Sequence, residues 1–291
     1  MPNEHDKVNF NTLRSLLFVP ALNDKFIKGA HTRDAQGVIF DLEDSVIYDR
    51  KLAARDALSA GLAQVRPHGL PLLVRVNNLP ELLEADLRAA VMAGADAILI
   101  PKVDTPDLLR DAHRLITSFE KDAQRTAGSV KYIALIESPK GVFNIGSILE
   151  TGGRLRGLGF GSEDFAASLG VEPDADALAV PAQNVALAAR AFDLAAWGLP
   201  GSIADFNDVQ AFEKLVRKAK AFGFTGALGI HPKQIEMINA AFRPSPEDLA
   251  QAQRIVDAYQ QALDSGAGAV ALDGKMIDAP VVERARRLLD A

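Results

Sequence analysis

YIALIES (132–138) and GLGFGSED (157–164) decide how this chain folds. Each is a short apolar run that ends on an acid, Glu137 in the first and Asp164 in the second, with a helical stretch between them. Repeated along a chain, that strand-then-helix rhythm builds a parallel sheet, because parallel strands need a crossover connection and a helix usually supplies it. Acids that close such runs fall at the carboxyl ends of neighbouring strands, the edge where α/β folds place their sites. Adjacent strands lie about 4.8 Å apart, so two carboxylates there can share one hard cation. A metal-assisted enzyme is the leading reading.

The same rhythm extends in both directions. Eight β-rich runs can be marked: SLLFVP (15–20), GVIFDLED (37–44), LLVRVN (72–77), AILIPKV (97–103), YIALIES, GLGFG (157–161), GSIADF (201–206) and ALGIHP (227–232). Helical patterns fill the gaps, among them LLEADLRAAVMAG (82–94), QNVALAARAFDLAAWG (183–198) and VQAFEKLVRKAKAFG (209–223), which stop at Gly94, Gly198 and Gly223 as C-terminal caps would. Eight such units predict an α/β fold, a (β/α)8 TIM barrel over residues 1–241. Residues 242–291 lie outside that count. They offer a helix opened by Ser245 and Pro246, a turn at DGK (273–275) and a last helix in PVVERARRLLDA (280–291): a C-terminal helical extension that is a candidate lid or subunit-exchange element.

Composition narrows the function. The chain has 291 residues, 48% of them hydrophobic, and a mean hydropathy of +0.05, ample for one large core. A net charge of −6 disfavours nucleic acid and anionic membranes as partners. The absence of cysteine removes disulfides, thiolate nucleophiles and Cys-ligated zinc. The opening MPNEHDKVNF is too polar for a signal peptide, and no apolar run approaches the roughly 18 residues of a membrane span, so a soluble cytoplasmic protein is expected.

The ends of the runs carry the chemistry: Asp41, Glu43 and Asp44, Arg75 and Asn77, Lys102, Glu137, Glu163 and Asp164, Asp205, and His231. Period two places Asp41 and Glu43 on the face of Ile39, Arg75 on that of Leu73, and Glu137 on that of Ile133 and Leu135. Such a ring suits an anionic substrate bridged by a divalent cation, and two carboxylates leave room for a 2-oxo acid to chelate. Plainer roles compete. Asp164 could cap a helix, Glu137 could pair with Lys140, and the acids at 41, 43 and 44 could form a solvated turn or support the site through hydrogen bonds. Lys102 fits a salt bridge to rim acids better than a Schiff base. Ser162 spoils a GxGxxG reading of the loop begun at Gly157, and no GxSxG elbow stands at a strand–helix junction.

Taken in order, RSLLFVP (14–20), FDLEDSV (40–46), LLVRVNN (72–78), ILIPKV (98–103), LIESPKGV (135–142), GFGSEDFAASLG (159–170), IADFND (203–208), GIHPKQI (229–235) and DGKMIDAPVV (273–282) resemble the citrate lyase β-subunit family, which also holds the malyl-CoA and citramalyl-CoA lyases of the HpcH/HpaI aldolase superfamily. The resemblance implies a (β/α)8 barrel, Mg2+ as cofactor, and a homotrimer or dimer of trimers. It implies Glu137 and Asp164 as metal ligands, Arg75 on the oxo-acid part of the substrate, and Phe18 and Lys28 against the CoA thioester. Glu163, Asp164, Ile230 and His231 match further substrate contacts, and Asp278 an aspartate that reaches a neighbour's site as a catalytic acid. Ala21 and Asn23 depart from the family's first motif, and the segment from Gly170 to Gln183 lacks a malyl-CoA lyase insertion, which tilts towards the citrate or citramalyl branch. The activity implied is cleavage of a 3-hydroxy-3-carboxyacyl-CoA thioester (citryl, citramalyl or malyl) into acetyl-CoA and a 2-oxo acid. The alternatives are a thioesterase or synthase on the same scaffold, or a non-catalytic subunit of a lyase complex.

Overall fold

The computed structural model describes residues 8–204 and 206–289. Its eight parallel strands are β1 (Ser15–Pro20), β2 (Gly37–Asp41), β3 (Leu72–Arg75), β4 (Ala97–Ile100), β5 (Lys131–Ile136), β6 (Leu155–Phe160), β7 (Ala195–Gly198) and β8 (Ala227–Gly229). They pair in the order β7-β6-β5-β4-β3-β2-β1-β8. A bridge between Trp197 and Gly226, with the Gly198 N–H donating to the Gly226 carbonyl at 3.3 Å, brings the two ends together as a TIM-type barrel ringed by helices. Seven of the eight expected runs contain a strand, and β1 has the expected bounds.

The seventh run is a correction. GSIADF forms no strand among its described residues, and Asp205 lies outside them; β7 is instead AAWG, expected as the end of a helix. That helix stops at Ala191, where Asp193 takes a left-handed φ of 54° and the Leu194 N–H reaches back to the Ala189 carbonyl. An aspartate thus does the capping usually done by glycine, and Gly198 is a strand residue rather than a cap. Gly94 and Gly223 do have positive φ just past helices, at 86° and 99°.

Two apolar shells follow from strand alternation. One lies between the sheet and the helices. The other fills the barrel: Phe10 and Leu16, Ile39, Leu73, Leu99, Ile133 and Leu135, and Trp197. Trp197 is fully buried and donates its indole N–H to the Leu13 carbonyl at 2.8 Å. It lies where a Cβ on Gly157 would be, so glycine at 157 is a condition of that packing. Burying an indole of that size contributes roughly 4–6 kcal/mol before entropy is counted. The interior series then turn polar at their upper ends, Ile39 to Asp41, Leu73 to Arg75 and Leu135 to Glu137, and so stand the ionisable groups on an apolar floor.

Away from that end, Glu120 on the helix Pro106–Asp122 accepts Arg154 Nη1 and Nη2 at 2.8 and 2.6 Å and the Gly128 and Val130 amides at 2.9 and 2.7 Å. The pair is buried, and charge with amide donors outweighs the upward push of burial to hold the Glu120 carboxyl below its usual range.

The barrel unit runs to Phe242, and a second compact unit begins at Arg243. Its helix Pro246–Asp264 opens with a Ser245–Asp248 capping box, and a hairpin of β9 (Val270–Leu272) and β10 (Lys275–Ile277) turns at Asp273 and Gly274, both with positive φ. The helix Ala279–Leu289 ends the described chain. Among the described residues no helix is long and apolar enough to cross a membrane.

Candidate active site

Arg75 ends β3 with its fork already engaged. Nε and Nη2 hold the two oxygens of Asp41 at 2.7 and 2.8 Å, and Nη1 faces Glu43 and Asp44, each at 2.9 Å. Its guanidinium carbon lies 4.7 Å from the centre of the Phe18 ring. Burial opposes charge on Asp41, but Arg75 and hydrogen bonds from Ser45 and Glu43 outweigh it, so Asp41 stays below the usual carboxylate range. Burial likewise works against the Arg75 charge, and the three acids overcome it and raise its affinity for the proton. The bidentate edge of Arg75 thus grips Asp41, while Asp44 on Nη1 is half-exposed.

Below this group, Lys51 donates to the Leu42 and Glu43 carbonyls at 2.9 and 2.6 Å. Asn77 donates to the Leu42 carbonyl and to Asp86, which Arg55 also holds at 2.7 Å. These supports hold the turn after β2. Only Asn77 stood among the sequence candidates; Lys51 and Asp86 lie on helical stretches, where a charge ordinarily signals a solvated face.

Lys102 links the acid groups. Its ammonium lies 2.9 Å from Glu43 and 3.5 Å from Asp164, and its backbone N–H donates to Glu137 Oε2 at 2.7 Å. Ion pairing, and not pairing of Glu137 with Lys140, is what the structure shows. Glu137 is 5% exposed, and burial together with the charges of Asp164 and Glu43 pushes its carboxyl up to about 8. Burial also raises Glu43.

Gly161 precedes the helix Ser162–Leu169, so Asp164 is that helix's third residue and not its cap. A Cβ at 161 would overlap the Glu137 carboxylate, so the missing side chain is the space Glu137 fills. Two hard oxygen donors whose mutual repulsion a cation would relieve fit Mg2+. Among the described residues no group of three or more His, Asp or Glu side chains is placed to hold a metal ion; a Mg2+ bound by two carboxylates would keep its other positions for water or substrate oxygens.

These groups open on a cavity of about 400 Å3 in the barrel unit, lined by Phe18, Arg75, Asp44, Glu137, Glu163 and Asp164 with leucines beneath. Glu163 turns aside to accept the Ser202 hydroxyl and the Ile203 amide. Ile230 lines the cavity, but its N–H and that of His231 both donate to Gln234 Oε1, at 2.9 and 3.0 Å, and His231 stacks on Phe206. Lys28 stands apart from the cavity lining, paired with Asp24 at 2.8 Å, while Asn23 caps its helix. Asp278 belongs to the second unit, where its carboxylate accepts the Val281 N–H at 3.4 Å ahead of the last helix.

The HpcH/HpaI aldolase/citrate lyase family matches residues 14–232. The chain is similar to "Citrate lyase subunit beta" of Haemophilus influenzae, 36% identical over 95% of this chain and 96% of that protein. It is 33% identical to "(3S)-malyl-CoA thioesterase" of Cereibacter sphaeroides over 95% of this chain and 93% of that protein. Among solved structures it resembles protein CitE from Mycobacterium tuberculosis in complex with magnesium, acetoacetate and coenzyme A, with a TM-score of 0.75 and 28% identity over 96% of this chain and 98% of that one.

Proposed function

Because the chain belongs to the HpcH/HpaI aldolase/citrate lyase family, we propose that it is a Mg2+-dependent carbon–carbon lyase that cleaves a 3-hydroxy-3-carboxyacyl thioester (citryl, citramalyl or malyl) into an acetyl thioester and a 2-oxo acid. The observation that carries this reading is the buried Glu137 facing the charge of Asp164 across one cavity with Arg75. Glu137 and Asp164 would hold the Mg2+, which when bound would supply Lewis-acid stabilisation of charge developing on substrate oxygens. Arg75 stabilises the carboxylate of the oxo-acid portion, which takes the place of Asp44 at Nη1. Phe18 walls the cavity beside it. The hydroxyl gives up its proton to a rim carboxylate as the bond to the thioester α-carbon breaks, and the electron pair leaves as the enolate. Asp278 of a neighbouring subunit protonates the enolate carbon, within a homotrimer or a dimer of trimers. Glu163, Ile230 and His231 shape the site, and Asp41, Glu43 and Asp44 hold Arg75 and Lys102 in place.

A thioesterase is the second reading, supported by the likeness to "(3S)-malyl-CoA thioesterase". Purified protein incubated with citryl-, citramalyl- and malyl-CoA, with Mg2+ or with EDTA, separates the two by mass spectrometry. A lyase yields acetyl-CoA and a 2-oxo acid, whereas a thioesterase yields the free hydroxy acid and CoA. Turnover only after adding an acyl-carrier partner would instead mark a subunit of a larger complex.

A further inference from the structure

We infer, building on the lyase reading, that Gln234 is a positioning residue: its side chain closes the barrel's seam beside the cavity and so fixes the apolar wall made by Ile203 and Ile230. The seam lies between β7 and β8, which are not joined by a ladder as the other neighbouring strands are. The Trp197–Gly226 bridge and the bond from the Gly198 N–H to the Gly226 carbonyl hold its middle. Above them, among the described residues, no backbone hydrogen bond joins 199–204 to 227–231. An unclosed edge leaves amides and carbonyls in need of partners. Gln234, fully buried on the helix Pro232–Phe242, supplies them. Its Oε1 accepts the Ile230 and His231 N–H groups at 2.9 and 3.0 Å, and its Nε2 donates to the Ile203 carbonyl at 2.8 Å. Only one orientation of the carboxamide does this, because the reverse would set its NH2 against two N–H donors. Thr225 plays the matching part below the bridge, where its hydroxyl accepts the Ala196 N–H at 3.0 Å and donates to the Ala196 carbonyl at 2.9 Å.

The two ends of the seam differ in what they border. Ile203 and Ile230 line the cavity, and Thr225 does not. The Ile203 N–H is held by Glu163 Oε1 at 3.1 Å and its carbonyl by Gln234, so the segment after β7 is tied on one side to the helical turn that carries Asp164 and on the other to the segment after β8. Without the carboxamide, both segments lose their common anchor and the wall against which substrate rests is free to shift. Loss of the Thr225 bonds loosens the same seam away from the lining.

The test compares full-length Gln234→Met, which removes all three bonds at little change in volume, with Thr225→Val, which removes the pair below. Steady-state kinetics with Mg2+ use citryl-, citramalyl- and malyl-CoA, and hydrogen exchange read by mass spectrometry follows peptides that cover 199–204 and 227–231. Gln234→Met should raise KM for the thioester that is turned over by about 10-fold, with kcat changed less, while Thr225→Val keeps the parent KM. Exchange should quicken in both peptides in Gln234→Met alone. An unchanged KM in Gln234→Met, or the same kinetic change in both variants, overturns the inference. If the parent cleaves none of the thioesters, the lyase reading fails on its own and exchange decides the clamp. Quickening in Gln234→Met alone then supports it, and quickening in both variants or in neither overturns it. Should Gln234→Met fail to fold, Gln234→Asn takes its place under the same criteria, since its carboxamide is one methylene too short to meet both segments at once.

Discussion

Lys102 holds Glu137 with its backbone and not with its charge: the Lys102 N–H donates to Glu137 Oε2 at 2.7 Å from a residue whose φ is 52°. A left-handed lysine costs roughly 1–2 kcal/mol of backbone energy, which glycine does not incur. Lys102→Gly and Lys102→Ala both keep the N–H and both remove the ammonium, so they differ chiefly in that backbone cost. Urea denaturation should show the glycine variant more stable than the alanine variant by about 1 kcal/mol. Equal stabilities would mean that the left-handed geometry is not required.

Gly161→Ala tests the space beneath Glu137. The backbone at 161 has φ −90° and ψ 94°, which alanine adopts without strain, so the added methyl acts only through what it meets. It would lie 2.6 Å from Glu137 Cγ, and the carboxylate must move. Folding should survive while the Mg2+ concentration for half-maximal activity rises about 10- to 100-fold, the usual effect of misplacing a ligand's support. An unchanged Mg2+ titration would take Glu137 out of the metal site.

What could be read in advance was whatever strand periodicity carries. Period two puts Arg75 on the face of Leu73 and Glu137 on that of Leu135, each leucine standing two residues before, and the structure stacks them that way. What escaped depends on contacts through space. Asp193 ends a helix with a non-glycine left-handed turn, so β7 looked like the tail of that helix. The use of Gly161 appears only once β5 and β6 lie side by side. That Asp41 takes the bidentate edge of Arg75 follows from the pairing of β2 with β3, where Asp41 stands opposite Arg75. Lys51 has no local signal, because nothing in its helix announces the carbonyls that receive it.

Acid stability should depend on Glu120. Its folded-state carboxyl lies below the ordinary value, so its contribution is fully present above the unfolded pKa of about 4.3 and is lost as the pH falls through the folded value. Glu120→Gln keeps the volume but leaves the Arg154 charge buried without its partner. A loss of about 3–5 kcal/mol at pH 7 is expected, together with a shallower fall in stability between pH 5 and 3 (roughly the span of that titration). Urea melts across that range would show it; parallel acid limbs for the two proteins would assign the acid sensitivity to other carboxylates.

Asp278 is the residue whose two roles a single substitution can separate. It stands before the helix Ala279–Leu289, where its carbonyl accepts the Val282 N–H and its carboxylate the Val281 N–H. Asparagine caps a helix about as well as aspartate, whereas alanine costs about 1 kcal/mol at such a position. Asp278→Asn should therefore melt like the parent protein, and Asp278→Ala a few degrees lower. If Asp278 is the acid that protonates the enolate, both variants lose activity, because the amide has no proton to give at neutral pH. An acid supplied by a neighbour makes the loss repairable. Mixed oligomers of Asp278→Asn and Glu137→Gln chains should regain part of the activity, since some sites then combine an intact metal pair with an intact foreign acid. Verified mixed oligomers with no recovery would place Asp278 in its own subunit's site, and a fully active Asp278→Asn protein would leave it as a cap alone.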